Sequence, residues 1–364
     1  MTSLKTSARV LLYRKYDDLT LLADFTGRWT RLSWSTALHG GFQECRIIVP
    51  MGFLDAVSFL RLENNPGRHF AHLVVLEGRQ VRWEGRVMRV AARYRGELEL
   101  VGLGYWSSTR DQRITTVDYS GGAQTVDDII KDFLDDKCPD INTDQAGIET
   151  VAGNVNLTLP EDRYAQDHII EELSPLGDSS GNVYHFAVWE GRRPYYTARS
   201  VIEVDWEVRL RDLDADGGVE QDALWLRNAA DADSQALYPV RDALASVPTG
   251  ATSARAEDAR DRFIAERKIP QQTTRFTVVG DPVARSRRAR SRLGTRQALR
   301  AADVVRIVDL VPASAASPSL DNIRTFHVLE TRYDAELDAV TVVPDRPPST
   351  LAALLARTKI EPER

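Results

Sequence analysis

Apolar residues in the first third of the chain come in short runs: Val10–Tyr13, Leu19–Leu22, Trp29–Trp34, Phe42–Val49, Phe70–Leu76, Val81–Val90 and Leu98–Tyr105. These runs are rich in β-branched and aromatic residues and are punctuated by Gly40-Gly41, Glu77-Gly78 and Arg95-Gly96. Such a pattern predicts strands joined by tight turns. One helical pattern, Leu54 to Leu62, interrupts them. The spacing suits a sandwich or barrel rather than alternating strands and helices.

The period changes after Arg113. Thr125 is placed to cap a helix, with Asp128 three residues on, and Val126, Ile129, Ile130, Phe133 and Leu134 form one apolar stripe. Asp127 and Asp128 suit the positive end of the helix dipole, Lys137 suits the other end, and Pro139 stops the helix. A second helix is expected from Asp162 to Leu173, ended by Pro175 and Gly177. A hairpin follows, Val183–Trp189 and Pro194–Ala198, turning at Glu190-Gly191-Arg192. This stretch reads as a small α+β domain.

Strand patterns return at Glu203–Leu210, Ala223–Leu226, Thr274–Val279, Asp303–Leu310, Arg324–Thr331 and Ala339–Val343. An Ala/Ser/Thr/Gly/Pro-rich connection spans 242–256, with helices expected over 254–268 and, after Pro347-Pro348, over Leu351–Thr358. The segment Arg93–Val101 matches Arg332–Val340 at five of nine positions, each at the tip of an expected hairpin. The match suggests one β unit used twice, although a match this short also arises by chance.

At 364 residues the chain is long enough for two to four domains. A formal charge of -6 argues against a general nucleic-acid binder. No apolar run approaches a membrane span, and Met1–Ser7 lacks the apolar stretch of a signal peptide, so a chain folded in a cytoplasm without membrane insertion is expected. Cys45 and Cys138 fall in different expected domains and read as buried free thiols.

Candidate chemistry is sparse. Asp212-Leu213-Asp214-Ala215-Asp216-Gly217 begins like a calcium loop, but its twelfth position is Ala223 rather than a bidentate Glu, even with Glu220 and Asp222 nearby. A polar turn between strands is the better reading. Seven arginines lie between Arg285 and Arg300. They read as a phosphate-contacting strip, as a solvated face, or as a surface pairing with acids in this chain or in a neighbouring copy. The segment 113–175, with fourteen acidic and four basic residues, is a natural complement. His39, His69, His72, His168, His185 and His327 show no metal-site spacing, and Glu171-Glu172 reads as a solvated helix face. No hydrolase elbow, phosphate loop or zinc-protease motif is present. The expectation is a protein without catalysis, cofactor or metal.

The order of certain segments resembles the baseplate-hub family of tailed bacteriophages and contractile injection systems, including the N-terminal part of siphophage tail-tip proteins. The segments are Trp83-Glu84-Gly85-Arg86-Val87, Thr125–Ile130, Ile169–Leu173, Ala301–Ile307 and Arg324–Asp334. The resemblance implies a mainly-β chain in which two tube-like β-barrel or sandwich domains flank a small α+β domain. The corresponding spans are 1–112, 113–200 and 201–345, with a C-terminal helix and tail over 346–364. It further implies a virion tail protein, assembled in the host cytoplasm as a trimeric hub. That hub would join the tail tube or distal tail protein above to a central spike or fibre below and line the path of exiting DNA. No lysozyme, peptidase or receptor-binding extension of the kind some relatives carry is expected. Alternatives are a hexameric distal-tail or tube ring protein, or a cell-envelope glycan-binding or degrading tail protein using aromatics such as Trp189, Tyr195 and Tyr196.

Overall fold

The structure, a computed structural model, describes residues 8–50, 71–93, 96–115, 118–176, 184–198, 203–213, 275–292, 295–308 and 325–344. In the first segment β1 (Ala8–Lys15) and β2 (Asp18–Asp24) form one hairpin, and β3 (Arg31–Ala37) and β4 (Gly40–Pro50) form another. They are followed by β5 (His72–Glu77), β6 (Gln80–Arg93) and β7 (Glu97–Leu103). The spatial order is β2-β1-β5-β6-β7-β4-β3, antiparallel throughout. All seven strands fall on the apolar runs. In β3, for example, Leu32, Trp34 and Thr36 are buried while the residues between them are half-exposed, the period-two signature of a strand with one face on a core.

The α+β module contains β8 (Arg113–Ile114), β9 (Asp118–Thr125), helix α1 (Val126–Lys137), β10 (Gly147–Ile148), β11 (Asn154–Thr158) and β12 (Arg163–Tyr164). A helical run over 165–176 follows, then β13 (Tyr184–Trp189) and β14 (Arg193–Ala198). Helix α1 has the expected bounds, and the Thr125 hydroxyl accepts the Asp128 N–H at 3.4 Å. The second helix begins at Ala165, not Asp162. Arg163 and Tyr164 pair with Ile114 and Arg113 as strands, and Asp162 has φ 61°, outside the helical region. The antiparallel pair β9–β11 had no sequence signal.

The last segment supplies β15 (Trp206–Arg209), β16 (Phe276–Val278), β17 (Val283–Ala284), a short helix Arg287–Arg290, β18 (Val304–Val308), β19 (Thr325–Asp334) and β20 (Ala339–Pro344). Strand β19 pairs with β3, so the sheet continues β3-β19-β18-β15-β17, with β20 and β16 branching from β19. Thr36 and Thr331 share a buried hydroxyl–hydroxyl bond of 2.7 Å across that junction. The expected helices at 54–62, 254–268 and 351–358, the strand Ala223–Leu226 and the 242–256 connection lie outside the described residues.

Two hydrophobic cores result. One gathers residues from β1 to β20, including Trp34, Trp83, Trp206 and Tyr333; the other belongs to the module and holds Ile129, Phe133, Ile169 and Tyr196. Strand β13 is the wall between them. Ala187 and Trp189 face the sheet core, Phe186 and Val188 face the module core, and all six residues of the strand are buried. β13 joins the sheet through a parallel pairing with Gly40 and Gly41 of β4. Gly41 has φ +79°, and a Cβ there would overlap the Val188 carbonyl, so glycine is needed on both counts. Both thiols are free and buried, Cys45 in the sheet core and Cys138 in the module core.

The nine-residue match does fall on two hairpins, β6–β7 and β19–β20, but it does not hold position by position. The first hairpin closes with Arg93 opposite Glu97, the second with Asp334 opposite Ala339. Leu98 is therefore a fully buried strand residue, whereas its counterpart Leu337 is a turn residue, 73% exposed. Tyr94 and Arg95 lie outside the described residues.

Candidate functional site

Charged side chains inside a strand are costly unless paired, and β6 carries three of them on one face. Arg82, Glu84 and Arg86 are all buried, and each grips a different part of the chain. Arg82 donates to the Arg292 carbonyl at 2.7 Å and to Thr295 Oγ1 at 3.2 Å, and is held at its other side by Glu77. Glu84 accepts the Arg192 N–H at 2.9 Å, at the turn between β13 and β14. Arg86 makes two bonds to Asp111, at 2.5 and 2.8 Å, and further bonds to Asp140 and Ser107. Between them Trp83 fills the sheet core and donates to the Gln43 carbonyl at 3.2 Å, while a Cβ on Gly85 would overlap the Leu103 carbonyl. The segment Arg82–Val87 is thus the joint on which the module and the last β segment are seated.

Around Glu84 the seam is closed by aromatic rings. His72 on β5 bonds Tyr105 Oη at 2.8 Å and stacks between Tyr13 and Tyr105. Arg192 lies 3.8 Å over the Tyr16 ring and pairs with Asp17. Burial pushes the Glu84 carboxyl up to about 7, with nearby Glu190 adding to the rise and the Arg192 N–H opposing it. Burial, helped by Arg192, lowers His72 to about 4.

The arginine strip is largely consumed by pairing inside the chain. Arg285 pairs with Glu207, Arg288 with Asp205 and Asp303, Arg292 with Asp303, Arg296 with Asp281 and Asp338, and Arg300 with Glu190. None of these acids belongs to 113–175, so within the chain the strip pairs with other acids than the segment expected from sequence. Asp303 is fully buried. It accepts Trp206 Nε1 at 2.9 Å and Arg292 Nη2 at 2.7 Å. Burial alone would raise its carboxyl, but Arg292 and Arg288 outweigh that and hold it below the usual carboxylate range. Arg287 and Arg290 remain on the surface, with no ion pair among the described residues.

The remaining candidates resolve as follows. Trp189 and Tyr196 are buried, in the sheet core and the module core, which removes two of the three rings proposed to stack on sugars. Trp189 instead carries the Arg300 guanidinium at 4.3 Å. Glu171 and Glu172 pair with Arg163. Of the calcium-like loop only Asp212 and Leu213 are described, and the Asp212 carbonyl accepts the N–H groups of Val279 and Gly280. His69 lies outside the described residues. A cavity of about 220 Å³ opens between module and sheet, lined by His185, Thr197, Asp205, Arg288 and His327 among others. Among the described residues, no group of three or more His, Cys, Asp or Glu is placed to hold a metal, and no helix is long and apolar enough to cross a membrane.

No family model matches the chain, and no curated protein matches it by sequence. Solved structures do match. The tail protein from Neisseria meningitidis MC58 is 12% identical with a TM-score of 0.55, over 93% of this chain and 96% of that one. The 43 kDa tail protein of prophage MuSo2 from Shewanella oneidensis is 12% identical with a TM-score of 0.55, over 94% and 99%. Prophage tail protein gp18 from Listeria monocytogenes EGD-e is 10% identical with a TM-score of 0.54, over 96% and 98%. Over nearly its whole length, module included, the chain has the mainly-β fold of phage tail proteins, the fold that its resemblance to the baseplate-hub family implied.

Proposed function

We propose that the chain is a structural tail protein, a hub that joins the tail tube or distal tail protein to a central spike or fibre and lines the path of exiting DNA. The observation that carries this reading is the mutual coverage: the shared fold spans 93–96% of this chain and 96–99% of the tail proteins. The construction suits a part that transmits force between its neighbours. Its buried charged residues tie separate segments together, and the sheet runs unbroken from the first β segment to the last. The hub acts without catalysis, in three copies, as part of a virion tail assembled in the host cytoplasm and not inserted in a membrane.

The test is the mass of the purified protein and of the tail tip that contains it. Three copies per particle are expected. Six copies would identify a distal-tail or tube-type ring protein instead. A glycan-binding assay and a zymogram with the full chain are expected to be negative, and clear activity would replace the structural reading with an envelope-degrading one.

A further inference from the structure

We propose that the module carries a docking groove for a second copy of this chain: the carboxylates of Asp132, Asp135 and Asp136 on one copy receive the guanidinium groups of Arg287 and Arg290 on the next. The inference deepens the reading of the chain as a hub present in several copies, and it rests on that reading. Both halves of the contact are left over from pairing inside the chain. Five arginines of the strip are paired with acids of the same copy, whereas Arg287 and Arg290 are exposed and have no ion pair among the described residues. Among the module's acids, Asp127 and Asp128 are held by Lys131, Asp140 by Arg86, Asp144 by Arg193, and Glu171 and Glu172 by Arg163. Asp132, Asp135 and Asp136 are exposed on α1 and have no ion pair among the described residues. Gln124 donates to Asp132 at 3.2 Å and Gln145 to Asp135 at 2.8 Å, which leaves both charges uncompensated.

The three carboxylates rim a cavity of about 450 Å³ that is also lined by Ile114, Thr115, Tyr119, Phe133 and Lys137. Ile114 and Phe133 are buried and supply an apolar floor, and the Tyr119 ring stands edge-on to Phe133 at 6.2 Å. Arginine suits such a site on two counts: its methylene stem lies on apolar surface, and its guanidinium binds carboxylates and the faces of aromatic rings. Three carboxylates against the one Lys137 ammonium leave two negative charges, the number that Arg287 and Arg290 neutralise. Spacing agrees as well. Arg287 and Arg290 are three residues apart on one helical turn, as are Asp132 and Asp135, so the two pairs of side chains have matching separations. Each turn is fixed to its own core. Phe133 and Leu134 anchor α1 in the module, while Ala289 sits in the sheet core and Ser286, bonded to Asp205 at 2.5 Å, caps the short helix. The contact joins two different faces, so each copy gives arginines to one neighbour and takes them from another, and the row closes into a ring where the rotation allows. The acidic complement that 113–175 offers the strip is thus met between copies rather than within one.

The contact is tested on the full chain, both purified and in the tail tip that contains it. Asp136→Cys and Arg290→Cys in one chain place a reactive thiol on each face, while Cys45 and Cys138 are buried. A short bifunctional maleimide is expected to link copies carrying both substitutions into multimers up to the full ring. Copies carrying one substitution are expected not to link, and a mixture of the two single variants to give dimers only. In sedimentation velocity, Arg287→Glu/Arg290→Glu and Asp132→Lys/Asp135→Lys are each expected to raise the dissociation constant between copies at least about tenfold, and by less as salt is added. The chain carrying all four substitutions is expected to return to within about threefold of wild type, because the swapped charges again face their opposites. Three copies that assemble without the cross-link, or a quadruple variant no tighter than the double ones, overturn the docking groove and leave the hub reading standing. A cross-linked ring of another number keeps the groove and overturns the three-copy reading. A chain found singly in both preparations overturns both.

Discussion

At Asp303 a single carboxylate orders much of its surroundings: Trp206, Arg288 and Arg292 all converge on it, and the Arg300 N–H bonds it at 3.1 Å. Asp303→Asn would leave Arg292 buried without its counter-charge, at a cost of about 3–5 kcal/mol, read as a lower urea midpoint. The sign of the pH dependence follows from the lowered carboxyl. The stabilisation is present above the ordinary aspartate value of 3.8 and is lost as pH falls through the lower folded value. In acid, the gap between wild type and Asp303→Asn should therefore narrow. Asp303 and Glu84 did carry a sequence signal that a search for catalytic motifs passes over. Asp303 stands immediately before the apolar strand Val304-Val305 and Glu84 between Trp83 and Gly85, places where a buried charge is tolerated only when paired.

Among the elements, those with a clean period were legible. Strands β1 to β7 fall on the apolar runs, β3 with a clean alternation, and α1 has a cap, a stripe and a stop, so local physics and tertiary structure agree. Thr125→Ala should cost about 1 kcal/mol through the cap alone. What was illegible depended on partners distant in sequence. β9, with Ser120-Gly121-Gly122 at its centre, has neither the residues nor the alternation of a strand and exists because β11 pairs with it. Gly40-Gly41 read as a turn, but Gly41 also serves a second purpose, admitting β13 against β4. Gly41→Ala should push β13 away, destabilising the chain by at least about 1–3 kcal/mol, with the loss of exchange protection centred on Ala187 and Val188. The arginine strip announced its charge but not its partners, because Asp205, Glu207 and Asp338 reach it only through the sheet.

For the whole molecule, the shared wall at β13 makes the module and the sheet one cooperative unit, since every second residue of that strand belongs to a different core. Calorimetry of the full chain should give one transition whose calorimetric and van't Hoff enthalpies agree; two separated transitions would show that the wall does not couple them. The β3–β19 pairing has a consequence for how the chain is made. Its two strands are joined by contacts such as Thr36 to Thr331, 295 residues apart. At ribosomal speeds of about 5–20 residues per second, β3 waits roughly 15–60 s after its own synthesis before its partner exists. For that interval the nascent chain shows a hydrogen-bonding edge that any other β strand could occupy. A chain truncated before Thr325 makes the interval permanent, and it should sediment as aggregate when expressed alone, while co-expression with trigger-type chaperones should keep more of the full-length chain soluble.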